Sequence, residues 1–326
     1  MKAIVYHQYG SPDVLKLEEV ERPTPGDDEV LIRTHAASIN SWDLNLLKGT
    51  PFLARLTSGG ILTPRHAILG TDVAGTVEAV GTNVRQLQPG DEVFGELSRR
   101  LLSVGWGGFA EYACARENSM TLKPASMTFE QAAAIPQVAA LALGGLRLNG
   151  QVQPGQKVLF NGAGGGVGTF GVQIAKSFGA DVTGVDSSSK LEMLRSIGAD
   201  HVIDYVREDF TKNGQLYDLI IDVAAYRSTF DYKRALSPNG AYGVIGGSTP
   251  RFFQTEFLGR FITMTGNKKL RTVGAKPNEG LDFLVELFEA GKVVPVIDKL
   301  YPLSDVAEAF RYFGEGHVQG KIVITM

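Results

Sequence analysis

The fold is decided by the stretch Lys157-Val-Leu-Phe-Asn-Gly-Ala-Gly-Gly-Gly-Val-Gly168 and its continuation Thr169-Phe-Gly-Val-Gln-Ile-Ala-Lys-Ser-Phe-Gly-Ala-Asp181. It predicts a short apolar strand, a glycine turn and an amphipathic helix. Glycine in such a turn lets the backbone approach a pyrophosphate, and the N–H groups at the start of the helix favour the anion. The turn fits G-x-G-x-x-G with alanine at its first position, through Ala163, Gly164, Gly165, Gly166, Val167 and Gly168. The stretch therefore predicts a dinucleotide-binding unit, the alternative being a glycine turn that only joins strand to helix.

A second strand and an acidic residue follow this unit. Residues 181–185 predict the strand, and Asp186 lies at its end, where an acid usually binds the ribose hydroxyls of adenosine. Further short apolar runs predict buried strands at 201–204, 218–223, 241–245 and 260–264. Their spacing leaves room for crossover helices, so this part of the chain is predicted to form a doubly wound parallel sheet, an α/β Rossmann domain.

The segments on either side have a different pattern. Before residue 123, short apolar runs at 3–6, 30–33, 76–80, 91–94 and 109–112 alternate with Pro-Gly and Gly turns, which predicts a small β-rich domain. After Gly280, the pattern predicts a helix at 281–288, a strand at 293–297, a helix from Ser304 and a last strand at 321–324.

Composition limits the possible functions. The chain has 326 residues, 44% hydrophobic and 21% charged, with a net charge of -3, which is enough for two globular domains and offers no basic surface for nucleic acid. The single cysteine, Cys114, cannot form an internal disulfide. The first residues turn polar too soon for a signal peptide, and no apolar run has the length of a membrane span. We therefore expect a soluble cytoplasmic protein.

Several spaced motifs resemble those of the medium-chain dehydrogenase/reductase superfamily, and in particular its zinc-free quinone oxidoreductase branch. They lie at residues 70–81, 89–94, 108–112, 157–181, 198–205 and 320–324. The resemblance implies a GroES-like catalytic domain formed by residues 1–122 and 293–326, and a Rossmann domain formed by residues 123–292. It also implies an active site in the cleft between the domains and a homodimeric assembly.

The residues at the family's zinc positions are not zinc ligands. By resemblance, Asn40 stands where zinc-dependent relatives have a cysteine and Thr71 where they have a histidine, with Asp72 as the adjoining acid. A lone carboxylate does not hold zinc, and the five histidines lack ligand spacing. The sequence therefore predicts no metal.

Without a Lewis acid, a hydride must go to an acceptor that already stabilises negative charge, such as a quinone or a carbonyl-conjugated alkene. The resemblance places Asn40 and Asp43 near the nicotinamide and substrate, and the Asn40 amide can donate a hydrogen bond to a developing oxyanion. Alternatively, Asp43 caps the next helix and Asn40 only shapes the loop. Two other functions stay open: an enoyl-thioester reductase, which residues 48–52 disfavour because they lack a tyrosine, and a crystallin-like protein that binds NADPH with little turnover.

The cofactor indications conflict. Lys190 and Tyr205 match residues that hold the 2′-phosphate of NADPH in the family, whereas a carboxylate at Asp186 favours NADH unless it is turned aside or offset by Lys190. Alternatively, Lys190 is solvated and Tyr205 packs internally. The prediction favours NADP(H), with NAD(H) possible. The predicted cofactor site further includes Ser187, Val223, Ile245, Gly246, Lys321 and Asn40.

Two apolar loop segments, 51–62 and 99–106, are candidates for the mouth of an apolar substrate pocket or for a subunit contact.

Overall fold

The computed structural model describes residues 1–52, 55, 60–65, 67–97, 107–274 and 276–326. They form two compact units. One consists of residues 1–140, 276–285 and 297–326, and the other of residues 141–275 and 286–296.

The first unit is rich in β-strands. Its N-terminal elements are β1 (Lys2–Val5), β2 (Lys16–Glu19), β3 (Glu29–Ser38), α1 (Ser41–Lys48), β4 (Asp72–Val80), β5 (Glu92–Glu96), β6 (Tyr112–Arg116), β7 (Thr121–Leu122), α2 (Phe129–Ala133) and the first half of α3 (Pro136–Leu146). A buried cluster that includes Ile32, Val73 and Phe109 forms its core. A capping box starts α2, since Thr128 and Gln131 exchange side-chain to backbone hydrogen bonds.

The second unit contains the dinucleotide-binding stretch. Its elements are β8 (Lys157–Asn161), α4 (Gly166–Ser177), β9 (Asp181–Asp186), α5 (Leu191–Ser196), β10 (His201–Asp204), β11 (Tyr217–Asp222), α6 (Thr229–Ala235), β12 (Leu236–Val244), α7 (Thr249–Thr265) and β13 (Lys269–Thr272). Within the described residues, the six strands are parallel in the order β10-β9-β8-β11-β12-β13. The strand order reverses beside β8, which confirms the predicted doubly wound sheet.

The remaining elements are α8 (Leu281–Glu289), β14 (Ile297–Pro302), α9 (Val306–Gly314) and β15 (Lys321–Thr325). β15 pairs with β3 in antiparallel fashion, with Val323 opposite Ser38. In the described part of the chain, the sheet of the first unit runs β14-β15-β3-β4-β5-β7, and β6 also pairs with β3. The last strand therefore lies between the edge strand β14 and β3, a strand from the N-terminal part of the chain.

Three sequence-based expectations are corrected. Residues 260–264 were predicted to be a strand but belong to α7, and the edge strand is β13 instead. The strand predicted at 293–297 is β14, which begins at Ile297. The strand predicted at 109–112 begins at Tyr112. The run at 260–264 has apolar and β-branched residues that suit both helix and strand, and hydrophobic pattern alone does not fix the residue at which a strand begins.

The compact units divide at residues 140/141, whereas the sequence-based domains divide at 122/123. The difference arises because α2 packs on the β-rich unit, where Phe129 stacks on His35 with ring centroids 4.3 Å apart. Among the described residues, no helix has both the length and the apolar character needed to cross a membrane.

Candidate active site

The glycine loop joins β8 to α4 and is tied to the end of β9. The backbone N–H groups of Gly162 and Ala163 both donate to the carbonyl of Val185, at 3.0 and 3.1 Å. Helix α4 begins at Gly166, so the first N–H groups of the helix face out of the loop without partners in the preceding turn. A pyrophosphate suits this arrangement of backbone donors and helix dipole. The residues present thus fit a dinucleotide cofactor.

Asp186 is the last residue of β9, and its carboxylate faces the glycine loop. One carboxylate oxygen accepts the N–H of Gly164 at 2.8 Å, and the other accepts the N–H of Ser187 at 2.8 Å. The Lys190 ammonium lies 3.7 Å from the latter oxygen, and both side chains are almost buried. The negative charge of Asp186 is therefore offset by two N–H groups and an ammonium.

Lys190 itself lies across the loop. A Cβ atom placed on Gly164 would be 2.5 Å from Lys190 Cδ, so the absence of a side chain at Gly164 makes room for the lysine. Tyr205 follows β10, and its backbone N–H donates to the carbonyl of Asp186 at 3.3 Å, while its side chain is 55% exposed. The alternatives of a solvated Lys190 and a packed Tyr205 thus do not match their burial.

The other predicted residues of the nucleotide site lie at the same edge of the sheet. Val223 follows β11, and Ile245 and Gly246 follow β12. The N–H groups of Ile245 and Gly246 both donate to the carbonyl of Asp222, at 2.8 and 3.3 Å. Because the carboxyl ends of parallel strands meet at one edge, these residues flank the glycine loop.

Asp222 supports this edge, although the sequence analysis did not single it out. It accepts hydrogen bonds from Asn161 Nδ2 at 2.7 Å, from the N–H of Ala224 at 3.0 Å and from the Tyr242 hydroxyl at 2.9 Å. Burial raises the pKa of Asp222 to about 6, and these donors oppose the increase. The buried carboxyl connects the ends of β8, β11 and β12.

A second set of predicted residues meets in the β-rich unit, in what we call the buried polar cluster: Asn40, Asp43, Thr71, Asp72 and Lys321. Position 40 follows the end of β3, where β4 begins on one side and β15 on the other. This register brings Asp72 and Lys321 to the same point although they are far apart in sequence.

The Asn40 amide is fully hydrogen-bonded in this cluster. Its Oδ1 accepts from Lys321 Nζ at 2.6 Å, and its Nδ2 donates to Thr71 Oγ1 at 3.2 Å and to Asp72 Oδ2 at 3.0 Å. Lys321 also donates to the carbonyl of Ile39 at 3.0 Å and lies 3.7 Å from Asp72 Oδ2. Since the ammonium can only donate, the oxygen of the Asn40 amide must face Lys321 and its nitrogen must face Thr71 and Asp72.

Asp43 holds the turn at the start of α1. Its carboxylate accepts the N–H of Asn40 at 2.8 Å and the N–H of Gly70 at 3.2 Å. Asp43, the third residue of α1, therefore forms a capping box with Asn40 at the N-cap, in agreement with the predicted alternative in which Asp43 caps the helix.

Burial dominates the electrostatics of the cluster. It raises the pKa of Asp43 to about 7, against the two N–H donors that favour the carboxylate. It also raises the pKa of Asp72 and lowers that of Lys321, while the attraction between the two groups opposes both changes. The Lys321 ammonium is thus the positive charge that compensates two buried carboxyl groups.

This set of side chains does not fit zinc. Zinc requires deprotonated nitrogen, sulfur or carboxylate donors in tetrahedral arrangement, whereas Lys321 brings an ammonium against Asn40 and Asp72. In the described part of the chain, no three histidine, cysteine or acidic residues are grouped to hold a metal ion. Cys114 lies in β6, away from the cluster in the strand pairing.

Sequence reasoning named Asn40, Asp43 and Lys321 separately and considered Thr71 and Asp72 only as former zinc positions. Two features of the sequence could have indicated that these residues meet. The polar pair Thr71-Asp72 precedes an apolar strand, and Lys321 precedes the apolar end of the chain. Of the predicted pocket segments 51–62 and 99–106, residues 53–54, 56–59 and 99–106 lie outside the described residues.

Family models match most of the chain. The model "Alcohol dehydrogenase GroES-like domain" matches residues 26–125, and the model "Zinc-binding dehydrogenase" matches residues 197–324.

Individual relatives match along nearly the full length. The chain is 35% identical to 2-methylene-furan-3-one reductase of Solanum lycopersicum, over 99% of this chain and 79% of that protein. It is 34% identical to the chloroplastic NADPH-dependent alkenal/one oxidoreductase of Arabidopsis thaliana, with the same coverage. The solved quinone oxidoreductase of Coxiella burnetii superposes with a TM-score of 0.85 at 28% identity, covering 100% of this chain and 99% of that one.

Proposed function

This chain belongs to the medium-chain dehydrogenase/reductase superfamily, in its quinone oxidoreductase branch, and from that premise we propose that it is a zinc-independent, NADPH-dependent reductase of quinones or α,β-unsaturated carbonyl compounds. The observation that carries the proposal is the buried polar cluster, in which an ammonium bonds Asn40 and lies beside Asp72, two residues that the resemblance places at the family's zinc positions. A chemistry without a Lewis acid suits acceptors that delocalise negative charge themselves.

The bound nicotinamide would supply two electrons as a hydride. For an enone, the hydride goes to the β-carbon and a proton goes to the α-carbon; for a quinone, the hydride and a proton give the hydroquinone. The backbone N–H groups of Gly166, Val167 and Gly168 would hold the pyrophosphate. Asn40 and Asp43 are our catalytic candidates. Asn40 would stabilise the oxyanion by exchanging one of its internal hydrogen bonds, and Asp43 would keep Asn40 in place.

The test is oxidation of NADPH by the purified protein with a panel of quinones, enals, enones and enoyl thioesters, each with and without a chelator. We expect turnover with quinones or enones that the chelator does not change. Preference for enoyl thioesters would indicate that the protein is an enoyl-thioester reductase instead. Cofactor binding without oxidation by any acceptor would indicate a low-turnover binding protein, and loss of activity with the metal would reject zinc independence.

NADPH is the preferred cofactor in this proposal. Asp186 is turned toward Gly164 and Ser187 and is offset by Lys190, so its charge opposes a 2′-phosphate less than the sequence suggested. Lys190 and the exposed Tyr205 lie beside the end of β9, where that phosphate would be held.

Replacing Lys190 by alanine should weaken NADPH binding by about 1.5–3 kcal/mol, because it removes a charge-assisted contact and leaves Asp186 without its ammonium partner. NADH binding should change little. The measurement is the dissociation constant of each cofactor, with Lys212→Ala as the control, since Lys212 is an exposed lysine of the same unit that pairs with Asp209. Tighter binding of NADH than NADPH by the unchanged protein would contradict the proposal.

The cytoplasmic location and the homodimer expected from the sequence stay predictions.

A further inference from the structure

Thr71 ends a chain of hydrogen bonds that begins at the Lys321 ammonium. Lys321 Nζ donates to Asn40 Oδ1 at 2.6 Å, and Asn40 Nδ2 donates in turn to Thr71 Oγ1 at 3.2 Å. A hydroxyl group that accepts one hydrogen bond still has its own hydrogen to donate. Within the residues that the structure describes, the Thr71 hydroxyl donates to no acceptor. The chain therefore runs in one direction, from a cation to an unused hydroxyl hydrogen.

The backbone on both sides of Thr71 is fixed. The carbonyl of Thr71 accepts the N–H of Leu97 at 2.7 Å, and the N–H of Gly70 donates to Asp43 Oδ1 at 3.2 Å. The carbonyl of Gly70 accepts the N–H of Gly108 at 2.9 Å. Thr71 is 1% exposed, so its hydroxyl is shielded from bulk water. A fixed donor in such a shielded site interacts strongly with a negatively charged oxygen.

The charge at the start of the chain strengthens the donor at its end. The Lys321 ammonium withdraws electron density from the Asn40 amide, so the amide N–H becomes a stronger donor to Thr71, and the Thr71 O–H becomes a stronger donor in turn. The Asn40 amide uses both of its N–H groups within the cluster, and it can reach a substrate only by giving one of them up. Thr71 can donate to a substrate while every bond of the cluster stays in place.

We propose that Thr71 is a further catalytic residue, whose hydroxyl donates a hydrogen bond to the oxygen of the quinone or enone on which negative charge develops during hydride transfer. The hydroxyl keeps its hydrogen throughout, so no covalent bond to Thr71 forms or breaks. Lys321 is a positioning residue in this arrangement, because it acts through Asn40. The inference rests on the proposed function, since it requires an acceptor that the protein reduces.

The experiment is single-turnover oxidation of bound NADPH by quinones and enones of graded electron affinity. Thr71→Val keeps the shape of the side chain and removes the hydroxyl, and we expect it to slow the hydride step by about 100-fold. The loss should be largest for electron-rich acceptors, whose reduced oxygen is the most basic and gains most from a donor. A purely structural disturbance would slow all acceptors alike. Thr71→Ser, which keeps a hydroxyl, should retain most of the rate.

Thr34→Val is the matched control. Thr34 lies in β3 of the same unit and is 3% exposed, and its Oγ1 is buried without a hydrogen-bond partner among the described residues. The same substitution therefore removes a buried hydroxyl that no hydrogen bond connects to the Lys321 ammonium. We expect an unchanged hydride step.

A double variant tests whether the chain acts as a unit. Without Asn40, Thr71 has lost the donor that strengthens its hydroxyl. Asn40→Ala/Thr71→Val should therefore be slowed by less than the product of the two single losses. Multiplicative losses would show that Thr71 does not act through this chain and would overturn the inference.

Thermal unfolding of each variant separates a lost donor from a lost fold. If Thr71→Val does not fold, Thr71→Ala removes the same hydroxyl and is judged by the same criteria. An unchanged hydride step, an equal loss with every acceptor, or an equal loss in Thr34→Val would overturn the role of Thr71 and leave the proposed function in place. Reduction of no acceptor by the unchanged protein would overturn both.

Discussion

Replacing Lys321 by methionine should lower the free energy of unfolding by about 3–5 kcal/mol and remove most of the reductase activity. The substitution leaves Asp72 as an uncompensated buried carboxylate, and removing one partner of a buried ion pair typically costs this much. It also leaves Asn40 Oδ1 and the carbonyl of Ile39 without their donor. The measurements are denaturant unfolding and the turnover rate with the best acceptor.

Lys299→Met is the matched control. Lys299 lies in β14, beside β15, and is exposed above the ring of Tyr312 at 3.7 Å. Its loss should cost no more than about 1 kcal/mol, since the contact is solvated. Equal stability of the two variants would show that the ammonium of Lys321 does not compensate the cluster, and our account of the site would then be wrong.

Comparison with Asn40→Ala separates the contribution of the cluster to stability from its contribution to hydride transfer. In that variant Lys321 keeps the carbonyl of Ile39 and Asp72, so the stability loss should be smaller than for Lys321→Met. The barrier to hydride transfer should rise by about 2.7–4 kcal/mol if the amide stabilises the oxyanion. Single-turnover oxidation of bound NADPH measures this step. An unchanged rate would leave Asn40 with a structural role only.

The second large effect is expected in the glycine loop. Gly168→Ala should destabilise the protein by about 3 kcal/mol, although alanine normally improves a helix, because overpacking here involves backbone atoms. The added Cβ would lie 2.4 Å from Ala163 Cα and its carbonyl oxygen, so no side-chain rotation can relieve the contact.

Gly165→Ala is the contrasting variant. Its Cβ would meet nothing closer than the carbonyl oxygen of Gly162 at 3.8 Å, and its φ of -89° suits alanine. We expect unchanged stability but at least about tenfold weaker NADPH binding, because the methyl group would hold the pyrophosphate away from the loop. The pair is measured by thermal unfolding and cofactor titration. If both variants bind NADPH as tightly as the unchanged protein does, the loop does not hold the pyrophosphate.

The nucleotide unit could be predicted from the sequence because its signals are local. The strand at 157–161, the glycine loop, α4 and Asp186 follow one another within a single supersecondary unit, so turn chemistry and hydrophobic period suffice to place them. The position of Lys190 across Gly164 also belongs to this short range. What local pattern did not reveal was the direction of the Asp186 carboxylate, which depends on the N–H groups of the folded loop.

The buried polar cluster could be predicted only in pieces. Asn40 and Lys321 are 281 positions apart in the chain, and they meet because β15 enters the sheet beside β3. That pairing register is a tertiary property, which neither composition nor spacing contains. Family resemblance supplied the residues, but not their bonds to each other.

Helix α7 was wrongly predicted in part as a strand because Phe261-Ile-Thr-Met264 is apolar and contains β-branched residues. Amphipathic patterns are interpreted on the assumption that apolar side chains point inward. In α7 the small residues point inward and the phenylalanines point outward, so the assumption itself fails there.

The position of β15 also has a consequence for synthesis. Residues 141–275, which make up most of the second unit, are continuous and leave the ribosome before Lys321 exists. The nascent chain can therefore assemble the parallel sheet while β3 still lacks its neighbour β15 and while Asp72 still lacks its counter-ion. During translation, the polypeptide can form its nucleotide-binding sheet before it can complete the β-rich unit. A ribosome that stalls shortly before residue 321 would therefore leave a product that has the parallel sheet but lacks β15 and Lys321.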